Sequence, residues 1–118
     1  MAVLSSGPIE NNPVNGTRPT TQVLVKLINT NAVSSATVLI QGYFLNGTRT
    51  LYVLEQVNVG ANQVVTRNYF ANLNAFEYVF TTSGTAAEDT QVSMWGRNAP
   101  GQLNTSHRLV SEEHLGAE

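Results

Sequence analysis

ATVLIQGYFLNGTRTLYVLEQ, residues 36–56, decides the fold. Two runs dense in Val, Leu, Ile, Tyr and Phe flank Asn46-Gly47, with apolar and polar residues interleaved. β-branched and aromatic side chains suit a pleated, half-buried surface. Asn-Gly between two such runs is the strongest short-range hairpin signal, because both central residues of a type I′ turn need positive φ. The stretch therefore predicts strands over Ala36–Leu45 and Thr48–Gln56 joined by a two-residue turn.

Working outward, the same grammar repeats. Gln22–Thr30 (QVLVKLINT) reads as a strand, followed by a turn at Asn31-Ala32. On the C-terminal side Val57–Asn62 reads as a bend leading to the other sheet, and Gln63–Phe70 (QVVTRNYF) as the next strand. In Ala75–Thr82 (AFEYVFTT), Phe76, Tyr78 and Phe80 alternate with Glu77 and Val79, the period of a strand with one strongly buried face. Thr90–Gly96 sets Val92 and Met94 against Ser93 and Trp95, and Leu103–Val110 reads as the last strand. Strands at this spacing with turn residues between them predict an all-β, antiparallel β-sandwich, jelly-roll-like, of seven to eight strands. Residues 22–110 form the sandwich, 1–21 an extended N-terminal arm, and 111–118 a flexible, acidic tail.

At 118 residues the chain is one domain, large enough to bury a single core. Only 12% of residues are charged, about half the average for soluble domains. A surface of neutral amides and hydroxyls suits a protein packed among neighbours or an inert coat. Net charge is −2, and the six basic residues are scattered singly, which excludes nucleic acid as a partner. The absence of cysteine removes disulfides, zinc–thiolate sites and thiol catalysis together. No basic and apolar leader of the secretory type is present, and no apolar run suits membrane insertion.

No catalytic constellation emerges, so the chain reads as a non-enzyme without cofactor or metal. His107 and His114 lack a third ligand at metal spacing. Glu55 and Glu77 sit in different strands and read as solvent-facing, not as a glycosidase pair. No glycine-rich phosphate loop or serine elbow occurs. Asn15-Gly16-Thr17, Asn46-Gly47-Thr48 and Asn104-Thr105-Ser106 match glycosylation acceptors, but Asn-Gly is explained first by turn geometry. Trp95 reads first as core, as a lone tryptophan in a sandwich usually is. With Tyr43, Tyr52, Tyr69 and Tyr78 it could instead build a sugar-stacking face. Trp95, His107 and Arg108 are thus candidates for an interface or ligand face, and a carbohydrate- or ligand-binding module is the alternative function.

The arm, MAVLSSGPIENNPVNGTRPT, combines Val3, Leu4, Ile9 and Val14 with three prolines. Proline keeps it extended and excludes a helix, while the apolar residues give it something to bury. It either trails as a leader or crosses to a neighbour and adds a strand there. The crossing is the expectation, with Val3, Leu4, Ile9 and Val14 at the interface.

SGPIENNPVNG (Ser6–Gly16) and VSMWGRNAPGQLNTSHRLVSEE (Val92–Glu113) resemble small uncharacterised β-sandwich proteins of spore-forming Bacillota. In general plan the chain is also similar to endospore appendage (Ena-type) subunits. That resemblance implies a jelly-roll body whose N-terminal connector docks into the next subunit. The appendage family cross-links its connectors through cysteines, which this chain lacks. The implied function is a self-assembling structural subunit of a bacterial spore or cell-surface fibre or coat, held by non-covalent strand pairing. Its partners would be copies of itself and spore-surface proteins, and without a classical signal peptide it would be made in the mother cell.

Overall fold

The computed structural model describes the backbone of residues 2–107 and 110–111, and side chains through residue 103. Its strands are β1 (Ala2–Ser5), β2 (Ile9–Glu10), β3 (Gln22–Asn29), β4 (Ala36–Leu45), β5 (Arg49–Val59), β6 (Val64–Phe70), β7 (Ala75–Ser83), β8 (Thr90–Arg97), β9 (Leu103–His107) and β10 (Val110–Ser111). A single 3₁₀ turn, Ala87–Asp89, precedes β8. The strands form two antiparallel sheets, a six-stranded one ordered β10-β1-β7-β4-β5 with β2 also on β7, and a four-stranded one ordered β6-β3-β8-β9. Only β4–β5 and β8–β9 are hairpins; the other links between strands of different sheets cross the sandwich.

The core follows from the period-2 patterns. Val38, Ile40, Val57, Val59, Phe76, Tyr78 and Phe80 of one sheet meet Val23, Val25, Leu27, Val65 and Met94 of the other, all buried. The sandwich expected from the sequence is therefore what forms; β3, apolar on both faces, is a central strand, whereas β5 is the edge of its sheet and exposes Leu51 and Leu54.

Three local expectations are corrected. The Asn46-Gly47 hairpin forms, but Leu45 pairs with Arg49, leaving a three-residue loop in which Gly47 alone has positive φ (70°). The register explains it. Gly42 pairs with Val53 while Tyr43 pairs with Leu51, so Tyr52 is an extra residue in β5. Such a bulge bends the strand and re-aims a side chain. The type I′ geometry appears instead at Asn15-Gly16 (φ 53° and 80°), where Val14 and Thr17 exchange backbone bonds of 2.8 and 3.1 Å. Second, β5 does not bend at Val57 but runs to Val59, because Val57 and Val59 both continue the buried alternation. Third, the last strand is divided: Leu103–His107 pairs with β8, whereas Val110 and Ser111 pair with Ser5 and Leu4 in the other sheet.

Gly42 leaves no room for a side chain. A Cβ there would lie 2.9 Å from both Tyr78 Cε2 and Val53 Cβ. Gly42→Ala therefore overpacks the site and should cost about 1–3 kcal/mol. Urea unfolding of the variant is expected to show a lower midpoint with an unchanged slope.

Candidate interaction surfaces

The arm is placed first by backbone chemistry. Ala2, Val3, Leu4 and Ser5 pair with Thr82, Thr81, Phe80 and Val79 of β7, and Ile9 and Glu10 pair with Phe76 and Ala75. Between them the arm carries one extra residue, marked by Gly7 at φ 67°. There the Ser6 amide donates to Tyr78 O (2.9 Å), and the Ser6 hydroxyl accepts from Tyr78 N (3.0 Å) in place of a carbonyl. Directly opposed residues share a face, so Leu4 and Ile9 point inward with Phe80 and Phe76, and both pack on the core. Val3 lies on the outer face beside Thr81, half-buried. Val14 is 62% exposed beside the Asn15-Gly16 turn.

The base of the arm is pinned by a residue that the sequence reading passed over. Asn11 is 2% exposed. Its amide nitrogen reaches the carbonyls of Thr20 (2.7 Å), Ala71 (3.1 Å) and Leu73 (2.9 Å), and its oxygen accepts the Thr20 amide (3.0 Å). One side chain thus satisfies four backbone groups where β2, β3 and the β6–β7 turn meet. A buried Asn in a proline-flanked stretch was the only available signal.

Of the two glutamates read as solvent-facing, Glu77 does project from the outer face, whereas Glu55 takes an inward-facing position. Glu55 is opposite inward-facing Ile40, and Glu77 lies between inward-facing Phe76 and Tyr78, so they occupy opposite faces of the six-stranded sheet. That separation leaves no cleft carboxylate pair. On the outer face Glu77 accepts from Arg49 Nε (2.8 Å) and Ser5 Oγ (3.0 Å), while the Arg49 guanidinium lies 3.5 Å above the Tyr43 ring.

Glu55 belongs to a polar seam along the side of the sandwich where β5 and β6 face each other. It accepts from the Tyr69 hydroxyl (2.6 Å) and from Arg67 Nε (2.9 Å). Tyr52 donates to the Phe70 carbonyl (2.5 Å), a group that can only accept, so the 2.6 Å contact between the Tyr52 and Tyr78 hydroxyls uses the hydrogen of Tyr78. The chain Tyr78–Tyr52–Phe70 therefore ties β7 and β5 to β6. Tyr78 is fully buried, and its ring contacts Tyr69 and Tyr52 at centroid distances of 5.7 and 6.1 Å. These tyrosines are structural and do not form a flat exposed platform.

Trp95 departs from the core reading. Opposite Leu24 and in step with Ser93, it projects from the outer face of the four-stranded sheet and is 36% exposed. His107 is the residue of β9 opposite Met94. Arg108 and His114 lie outside the described residues. Among the described residues no three His, Cys, Asp or Glu side chains are grouped to hold a metal, and no helix is long and apolar enough to cross a membrane. No protein-family model, curated protein or solved structure matches the chain.

The seam predicts a pH response at both ends. Tyr69 and Arg67, in that order, hold the Glu55 carboxyl below its usual value. A depressed carboxyl contributes stability that is present above the unfolded value of about 4.3 and lost as pH falls through the folded one. Glu55→Gln should accordingly flatten the acid limb of a thermal-stability profile. Burial raises the Tyr78 and Tyr69 hydroxyls well above their usual value near 10, so their contribution is whole below that pH and declines above it. Tyrosinate absorbance in an alkaline titration should lag that of the urea-unfolded chain and rise together with loss of the fold.

Proposed function

We propose that the protein is a self-assembling structural subunit, jelly-roll-like in plan, of a bacterial spore or cell-surface fibre or coat. Copies are joined by exchange of the N-terminal arm. The observation that carries this reading is the slot on β7: the arm enters it by main-chain pairing, and its two inward anchors are Leu4 and Ile9. An identical arm from a second copy fits the same slot with the same contacts. Domain exchange of this kind creates an interface at low cost.

The link between arm and body suits exchange. Residues 12–19 double back through the Asn15-Gly16 turn, held by the Val14–Thr17 bridge. Opening that turn straightens the link, which then extends by about 3.3–3.6 Å per residue. Burying one Leu- or Ile-sized side chain is worth roughly 1.5–3 kcal/mol. The closed monomer has the same two anchors, so exchange leaves their burial unchanged; each junction, once formed, holds its arm as firmly as the monomer does without covalent cross-links, in keeping with a chain that has no cysteine. The sparse charge and the likeness to spore-former proteins favour a surface assembly over a diffusing enzyme.

Two introduced cysteines test this directly. The Ser6–Tyr78 bond fixes the parity of the β1–β7 ladder, so Val3 and Thr81 form a non-hydrogen-bonded pair. Cα atoms of such pairs lie about 4.5 Å apart, within disulfide range. Oxidised Val3→Cys/Thr81→Cys protein, assembled at high concentration, should run as a ladder of multimers on a non-reducing gel and collapse to monomer with reductant. Negative-stain images should show fibres or rings. A monomeric cross-linked band at every concentration, with no assembled particles, sinks the proposal.

A further inference from the structure

The outer face of the four-stranded sheet carries a constellation that arm exchange does not use. Strand register arranges it in rows. Gln22 lies between Phe70 and Arg97, Leu24 between Asn68 and Trp95, Lys26 between Thr66 and Ser93, and Ile28 between Val64 and Gln91. Residues two apart along a strand are separated by about 6.6–6.8 Å. The single tryptophan of the chain thus sits with one cation a row away on each side, Arg97 along its own strand and Lys26 on the neighbouring one. Amide and hydroxyl side chains (Gln22, Asn68, Thr66, Ser93) surround it.

Three features mark this face as a binding surface for something both ring-shaped and anionic. Trp95 and Phe70 are 36% and 59% exposed, an aromatic area on a face that also shows the aliphatic side chains of Ile28 and Val64. Arg97 Nε is enclosed, yet it is the one buried side-chain polar atom among the described residues that has no hydrogen-bond partner. That nitrogen is out of a ligand's reach, but Arg97 is only half-buried and makes no ion pair among the described residues, so its guanidinium has no carboxylate. Lys26 makes a 3.3 Å bond to the Thr66 hydroxyl and has no carboxylate partner. No Asp or Glu projects from these rows; the nearest along β8, Asp89, lies beyond the strand end and accepts from Asn31. A groove of about 280 Å³, lined by Lys26, Ile28, Val64, Gln91, Val92 and Ser93, continues the face past the Lys26 row.

We propose that this face binds an acidic, uronate-bearing polysaccharide, with Trp95 stacked on a sugar ring and Arg97 and Lys26 meeting carboxylates on either side. An aromatic plane matches the apolar C–H face of a sugar, and amides and hydroxyls match its hydroxyls. Guanidinium and ammonium groups supply charge-assisted bonds to carboxylates. The charge pattern selects among occupants. A second copy docked face to face would bring Lys26 and Arg97 of both chains together with no carboxylate to offset them. Two cations on a chain of net charge −2 give little of the phosphate neutralisation on which nucleic-acid binding depends.

The test uses the full chain and its only tryptophan as reporter. Titration with polygalacturonate should shift and quench Trp95 fluorescence, weaken with added salt, and have no counterpart with neutral dextran. In affinity electrophoresis through polygalacturonate gels, Trp95→Ala should weaken binding roughly tenfold to a hundredfold, the scale of a lost aromatic anchor. Trp95→Phe should recover part of it. Lys26→Gln, at an exposed position, should reduce the salt dependence while circular dichroism stays unchanged. The proposal is overturned by any of three results. One is retention of Trp95→Ala equal to that of the unaltered protein. Another is equal binding of dextran or single-stranded oligothymidylate. The third is no retention, with Trp95→Ala shifting only the oligomeric state.

Discussion

The packing of the Tyr78 ring against Gly42 is the constraint on which the rest of the sandwich depends. Tyr78 is the largest of the fully buried side chains, and its ring stands where a Cβ on Gly42 would be. A buried phenol must find a hydrogen-bond partner. Tyr52 provides it, and reaches it because the β5 bulge falls opposite the Gly42–Tyr43 step. The glycine, the bulge and the hydroxyl pair are thus one device. Removing the side chain at residue 42 admits the ring, and the extra residue in β5 supplies the group that satisfies its polar end. From there Tyr52 continues to the Phe70 carbonyl, so a core packing decision also fixes the spacing of the two sheets.

The arm meets the same strand from its other side. Tyr78 N and O are both used by Ser6, whose hydroxyl stands in for a carbonyl that the bulged arm cannot present. β7 is therefore read on one side by β4 and on the other by the arm, and its inward residues, Phe76, Tyr78 and Phe80, are common to both neighbours. An arm in this slot completes the core by covering Phe80 with Leu4 and Phe76 with Ile9. The sandwich therefore depends on the presence of an arm in this slot.

What the sequence made legible was alternation. The core strands and their buried faces followed from runs such as Phe76–Phe80, because period-2 patterning is local and one face must leave water. Contacts that depend on what stands opposite were not legible. Val57-Asn58-Val59 looked like a bend because Asn and Gly follow, yet both valines are buried by strands that a single-sequence pattern does not bring near. Asn11 was passed over and Glu55 was read as solvent-facing for the same reason: their partners, Ala71, Leu73, Arg67 and Tyr69, are distant in sequence or turned inward by register. Trp95 shows the limit of residue-type averages. Its strand neighbour Met94 takes the inward position, and alternation leaves Trp95 no choice of face. Of the arm residues, Val3, Leu4, Ile9 and Val14 stood out equally by their apolarity; that only Leu4 and Ile9 turn inward is decided by their register on β7, which was not legible.

The seam between β5 and β6 also gives the sandwich a direction. Asn29 and Thr21 bond to Gln63 and Ala71 across the β3–β6 ladder, so odd-numbered residues of β6 face β3 and even-numbered ones face the open edge. Of the outward carbonyls, Thr66 accepts Arg67 Nη1 and Phe70 accepts Tyr52. Beneath that edge Glu55 and Arg67 place charge between the sheets. Occupied carbonyls and inward-pointing charges are how natural sheets blunt an edge against stray pairing. The opposite side of the six-stranded sheet is built from the arm itself and the two residues of β10, short elements held chiefly by main-chain bonds. The blunted β6 edge thus contrasts with the side built from the arm, which is the side the proposed exchange would use. In the proposed polymer, growth would follow that junction, and the outer face of the four-stranded sheet, with Trp95, Phe70 and Lys26, takes no part in it.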